Sequence, residues 1–138
     1  MRILAIDYGL KRTGIAICDP SETICSPLEV IEGQNGLVNR IKKIADEYQA
    51  EAILFGLPLN MDGTEGKQSQ IVRSFSGEVK KATSLEVFFQ DERLTSKVAE
   101  RMMIDADLTR KKKKKRLDAV AAAAILQAFL ENKSSGQN

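Results

Sequence analysis

The 138-residue sequence contains no histidine and no tryptophan, and it has only two cysteines. No apolar run approaches the roughly 20 residues needed to span a bilayer, which excludes an integral membrane protein of the helical kind. The lack of histidine excludes Ser-His-Asp and Cys-His nucleophiles, imidazole general bases and His-ligated zinc. Cys18 and Cys25 are too few for a four-ligand zinc site. Without a secretory signal they read as small core residues, with a disulfide between them as the alternative. At the N-terminus, Ile3-Leu4-Ala5-Ile6 runs straight into Asp7. Four apolar residues are too few for a signal peptide, so the expected location is the cytoplasm. Any catalysis must therefore come from carboxylates, Lys, Arg, Ser, Thr or Tyr. A hard cation held by carboxylates is the natural candidate.

What is present is an ordinary globular composition, 43% apolar and 29% charged, at a length of about one domain. The net charge is +2, but residues 110–116 are seven consecutive basic residues. Removing their +7 leaves −5 for the rest, so the excess basicity lies in one segment.

Apolar patterning predicts strands over residues 2–7, 15–18 and 24–31, the last interrupted by Pro27 and hence an edge or a bulge. The period then changes. Leu37, Ile41, Ile44, Ala45 and Tyr48 predict a helix over 36–49, and residues 52–56 a short buried strand. Residues 57–66 form a loop rich in Pro, Asn, Asp and Gly. Ile71, Val72, Phe75 and Val79 mark a second helix, and residues 85–89 a further strand. Thr95 or Ser96 is placed to cap a third helix carrying Val98, Ala99, Met102 and Met103. An Ala-rich fourth helix spans 117–132, and 133–138 is a polar tail. The order β-β-β-α-β-α-β-α-α predicts an α/β fold: a mixed sheet with helices on both faces. No linker divides residues 1–132, which read as one domain.

Several acids lie at the ends of apolar elements. Asp7 ends the first strand, Asp91 and Glu92 end the strand containing Val87-Phe88-Phe89, and Asp118 opens the last helix. Ligands of open α/β sheets bind beyond the carboxyl ends of strands, where Asp7 and Glu92 belong. Three carboxylates meeting there repel one another, and a divalent cation relieves that repulsion. Each acid also has a plainer reading: Asp118 as a helix cap, Asp7 as a turn former, Asp91 and Glu92 as surface partners of Arg93. The loop after Gly56 lies where functional loops occur, and serves equally as a connector. Residues 110–116 read as a solvated loop or as a phosphate-binding one. With aromatics at 5%, such binding would rest on phosphate contacts and shape more than on base stacking.

Four segments together resemble one known family. They are Ile6-Asp7-Tyr8-Gly9-Leu10-Lys11-Arg12-Thr13-Gly14-Ile15-Ala16, Gly56-Leu57-Pro58-Leu59-Asn60-Met61-Asp62-Gly63, Asp91-Glu92-Arg93-Leu94-Thr95-Ser96 and Asp118-Ala119-Val120-Ala121-Ala122. They resemble, in order, the signature blocks of the YqgF/RuvX family, the Holliday-junction-resolvase-like pre-16S rRNA nucleases of bacteria. The resemblance implies an RNase H-like fold with a five-stranded mixed sheet. It implies an acidic triad of Asp7, Glu92 and Asp118, with Asp91 as the neighbouring alternative. It also implies two Mg²⁺ or Mn²⁺ ions held by that triad for phosphodiester hydrolysis. Lys11, Arg12 and Arg93 are then candidates to neutralise substrate phosphate. Arg110, Lys111, Lys112, Lys113, Lys114, Lys115 and Arg116 are candidates to grip the nucleic-acid backbone. The implied activity is processing of the 5′ end of pre-16S rRNA in ribosome biogenesis, on structured RNA or ribosomal precursor particles. The alternatives are a junction resolvase acting on branched DNA, which would need a dimer, and a non-catalytic module for nucleic-acid binding, transcription or ribosome assembly.

Overall fold

A computed structural model describes residues 1–94 and 110–134. Five strands form one sheet: β1 (Ile3–Asp7), β2 (Arg12–Cys18), β3 (Cys25–Glu32), β4 (Ala52–Leu57) and β5 (Glu86–Asp91), in the order β3-β2-β1-β4-β5. The opening meander β1-β2-β3 is antiparallel, whereas β4 and β5 run parallel to β1. The described helices are α1 (Leu37–Glu47), α2 (Lys67–Thr83) and α3 (Arg110–Ser134), with a short 3₁₀ turn at Glu92–Leu94 after β5. No helix among the described residues is long and apolar enough to cross a membrane. The expected third helix, from Thr95 or Ser96 onward, lies outside the described residues.

Alternation along the strands divides the core in two. Leu4, Ile6, Ile15, Ile17, Ile53 and Phe55 pack under α1 and α2. Ile3, Ala5, Ala16 and Leu54 face α3, meeting Ala122, Ala123, Ile125 and Leu126. Helices thus cover both faces, and the central strands β1 and β4 are buried on both, as their unbroken apolar runs require. Pro27 sits on edge strand β3. Pairing there jumps from Ile15↔Glu29 to Ala16↔Pro27, leaving Leu28 as the extra residue of a bulge. Edge and bulge therefore occur together.

Three boundaries differ from expectation. β2 begins at Arg12, three residues ahead of the apolar run at 15–18, because Arg12, Thr13 and Gly14 pair with Glu32, Ile31 and Val30 of β3. α2 begins at Lys67, a full turn ahead of the apolar stripe, and the Ser69 hydroxyl of that turn donates to the Pro58 carbonyl. More consequentially, residues 110–116 are the first two turns of α3, not a loop before it. Lysine and arginine are good helix formers, and neither Gly nor Pro separates them from the Ala-rich segment. Asp118 is thus the ninth residue of α3, and the capping reading is removed.

Candidate active site

Asp7 is the last residue of β1, and alternation turns its side chain to the α3 face, opposite to Ile6. Its neighbours across the sheet are glycines. Asp7 pairs with Gly14 of β2, and Gly56 of β4 follows Phe55, the partner of Ile6. A Cβ at Gly14 would lie 1.9 Å from the Asp118 carbonyl oxygen and 2.8 Å from the Ala119 nitrogen. The backbone of α3 therefore rests directly on β2 at this point. A Cβ at Gly56 would lie 2.4 Å from Oε1 and 2.9 Å from Cγ of Glu92. Missing side chains on both sides of Asp7 admit Asp118 from the helix and Glu92 from the turn after β5. Sequence reading missed both glycines as site residues. The signal was there, since a glycine inside an apolar strand pattern marks a close backbone approach.

The electrostatics follow from this crowding. Burial, the charge of Glu92 and a shared hydrogen bond with it, and then the charge of Asp118, push the Asp7 carboxyl from 3.8 up to about 8. Burial also raises Glu92, and the charge of Asp91 adds to this, while the hydrogen bond from Asp7 acts in the opposite sense. Asp7 therefore holds a proton near neutrality and donates it to the Glu92 carboxylate. Asp118 acts on Asp7 through its charge. Among the described residues no three acidic side chains converge closely enough to chelate one ion. The contact pair is Asp7–Glu92.

The neighbouring Asp91 is engaged elsewhere. Its carboxylate accepts from Nε (3.0 Å) and Nη2 (2.7 Å) of Arg93 and from the Arg93 backbone N–H (2.9 Å), which lowers its pKa. Arg93 also donates through Nη1 to the Met61 carbonyl at 3.1 Å, so it ties the end of β5 to the loop at 58–66. That loop is closed by an Asn60 N–H to Thr64 carbonyl bond, a Leu59↔Glu65 bridge and a Glu65–Arg73 ion pair. Lys11 is exposed at the β1–β2 turn and Arg12 at the start of β2, where it lies 4.0 Å from Glu32. The seven basic residues precede Asp118 on the same helix. Lys114 lies one turn and Lys111 two turns before it, about 6 and 10 Å along the axis.

Residues 1–132 match the family model described as RuvX, Holliday junction resolvase. The chain belongs to the RuvX family. Among similar proteins, one from Endomicrobium trichonymphae named as a pre-16S rRNA nuclease is 45% identical over 136 residues, covering 96% of this chain and 97% of its own. Another of that name, from Roseiflexus sp. (strain RS-1), is 40% identical over 133 residues, covering 95% and 94%. In fold, the chain is similar to T. thermophilus RuvC in complex with a Holliday junction substrate, with a TM-score of 0.63 at 13% identity over 99% and 97% of the two chains. The fowlpox virus resolvase bound to Holliday junction DNA gives a TM-score of 0.60 at 15% identity, over 96% and 99%. The five-stranded mixed sheet is thus that of the RNase H-like resolvases, as the sequence resemblance implied. The RuvX family membership agrees with the resemblance read from the four segments.

Proposed function

We propose that this RuvX-family chain is a divalent-metal-dependent nuclease that hydrolyses phosphodiester bonds in structured RNA, trimming the 5′ end of pre-16S rRNA in the bacterial cytoplasm. The observation that carries this reading is the proton-sharing Asp7–Glu92 pair, set between two glycines at the carboxyl end of the sheet and facing Asp118. The names of the relatives supply the substrate class.

The residues fit Mg²⁺ or Mn²⁺. The donors are all hard carboxylate oxygens, and two of them coexist in the absence of a cation only by retaining a proton. Asp7 and Glu92 would hold the metal directly, with Asp118 adding its charge from α3 and the Asp7 proton released on loading. A divalent ion held by these carboxylates would supply polarisation of a phosphoryl oxygen and a water nucleophilic at neutral pH. Asp7 is fixed by its place in the buried β1 strand, and Glu92 by its seat over Gly56. Arg93 pairs with Asp91 and ties the 58–66 loop to the end of β5. The basic start of α3 lies upstream of Asp118 and supplies counter-charge to the sugar-phosphate backbone, with Lys11 of the β1–β2 turn and Arg12 at the start of β2.

The family description favours one second reading, resolution of a four-way DNA junction, which would need two active sites and hence a dimer. The deciding experiment sets purified protein with Mg²⁺ or Mn²⁺ against precursor rRNA and a four-way junction side by side, with Asp7→Asn as the control. We expect cleavage of the RNA and none by the variant. Paired cuts in the junction alone would favour the resolvase. Binding to either substrate without metal-dependent cleavage would leave a non-catalytic module.

A further inference from the structure

A second site lies on the other face of the sheet. Successive residues at the end of β1 point to opposite faces, so that Asp7 faces α3 while Tyr8 packs with the α1–α2 core. There a cavity of about 370 Å³ opens between α1 and α2, with Leu37, Val38, Ile71 and Phe75 as an apolar floor. Tyr8 forms one wall, stacked on Phe75 at 4.2 Å between ring centroids. The wall is pre-set. The Tyr8 hydroxyl donates to Gln34 Oε1 at 2.7 Å, and Gln34 Nε2 donates to the carbonyls of Gly9 and Leu10. Ser74 and Glu78 of α2 complete the rim. Among the described residues, Glu78 is the only charged one of the lining. Its carboxylate makes no ion pair or hydrogen bond among the described residues, and it lies close enough to Tyr8 to act on the phenol.

We propose that this cavity receives an unpaired guanine base of the substrate strand beside the cut. The inference rests on the nuclease reading for its source of guanine and on the cavity for its chemistry. An apolar floor with an aromatic wall suits a flat ring, and among the described residues the lining carries a carboxylate and no cation, which suits N–H donors better than a phosphate. The free carboxylate calls for N–H donors. Guanine presents two side by side, N1–H and the exocyclic N2–H, matching the two oxygens of one carboxylate. Adenine and cytosine place a single amino group next to a ring acceptor that would face Glu78 repulsively. Uracil has one N–H between two carbonyls. Recognition of unstacked bases by aromatic contact and Watson–Crick-edge hydrogen bonds is the general route to sequence selectivity in RNA. The cavity begins one residue after Asp7, so a nucleotide next to the scissile phosphate can turn its base over the rim of the sheet.

Guanosine, adenosine, cytidine and uridine carry no phosphate and are therefore direct probes. Titrated into the ¹⁵N-labelled full chain, guanosine should shift the amides of Val38, Ser74 and Glu78 at least tenfold more tightly than the other three. Glu78→Gln, an exposed substitution, should weaken guanosine about tenfold, the effect of losing one charge-assisted hydrogen bond, and leave other amides in place. In cleavage, the same variant should raise the half-saturating concentration of RNA with an unpaired G beside the cut and leave the saturated rate unchanged. Equal shifts with all four nucleosides, no shift with any, or an unchanged half-saturating concentration would overturn the proposal. So would shifts by N-acetyl-arginine amide in place of guanosine, which would make the cavity a protein-docking site. Guanosine binding without cleavage of any nucleic acid would sink the nuclease reading, and with it the substrate as the source of the base. Cleavage without guanosine binding would sink the cavity proposal alone.

Discussion

Replacing Asp7 with Asn tests the site at its most crowded point. The native Asp7 carboxyl is pushed from 3.8 up to about 8 by burial, Glu92 and Asp118. Because the folded value exceeds the unfolded one, its contribution to stability is fully present below about pH 4 and falls as pH rises toward 8. One pH unit of difference corresponds to about 1.4 kcal/mol, so the metal-free protein at pH 7 carries a penalty on the order of 4 kcal/mol from this position. Asparagine keeps a hydrogen-bond donor toward Glu92 and has no proton to lose. In EDTA, urea melts of the wild type should lose stability between pH 5 and 8. The variant should lose much less, with only the raised Glu92 left to titrate. At pH 8 we expect Asp7→Asn to be more stable by about 2–4 kcal/mol, the lower figure allowing for burial of the amide. Mg²⁺ should raise the wild-type midpoint and leave the variant unchanged, and the variant should not cleave. A variant less stable than wild type at pH 8, or a wild type indifferent to pH, would refute the reasoning and make Asp7 a structural residue of the turn.

Three further expectations follow from the geometry. Gly14→Ala places a methyl group 1.9 Å from the Asp118 carbonyl, so α3 must lift, and urea melts should show a drop of about 1–3 kcal/mol together with abolished cleavage. Gly56→Ala meets the movable end of Glu92 at 2.4 Å. It should cost cleavage more than stability, on the order of 10²-fold in single-turnover rate, with RNA affinity retained. Changing the five lysines at 111–115 to serine should reduce the salt slope of log K by up to about 0.9 for each duplex phosphate that a lysine no longer neutralises, while the saturated cleavage rate holds.

The strands and the first two helices were legible because their periods are clean: unbroken apolar runs in β1 and β4, and Leu37, Ile41, Ile44 and Ala45 along α1. The basic segment was misread because seven like charges look like a loop in one dimension, whereas helix propensity and continuity with the alanines decide its backbone. Asp7 and Glu92 were visible as acids at strand ends. Their hydrogen bond was not, because it depends on what Gly14 and Gly56 leave out, and a missing Cβ acts only through a neighbour on another strand. The cavity beside Tyr8 joins residues of α1 and α2 with the segments that follow β1 and β3, and has no sequence signature at all.

The start of α3 opposes its own helix. Cationic residues in a first turn face the positive end of the peptide dipoles. Within residues 110–116 four pairs stand three positions apart and three pairs stand four apart, each setting like charge against like. At about 0.2–0.5 kcal/mol for each pair, these two turns work against a strain on the order of 2 kcal/mol. A polyanion laid along them reverses the sign of both effects. The segment is thus wound under tension that a bound polyanion would release. Helical content read by circular dichroism should therefore rise with sulfate or RNA, and the grip on the backbone should tighten as the helix completes itself.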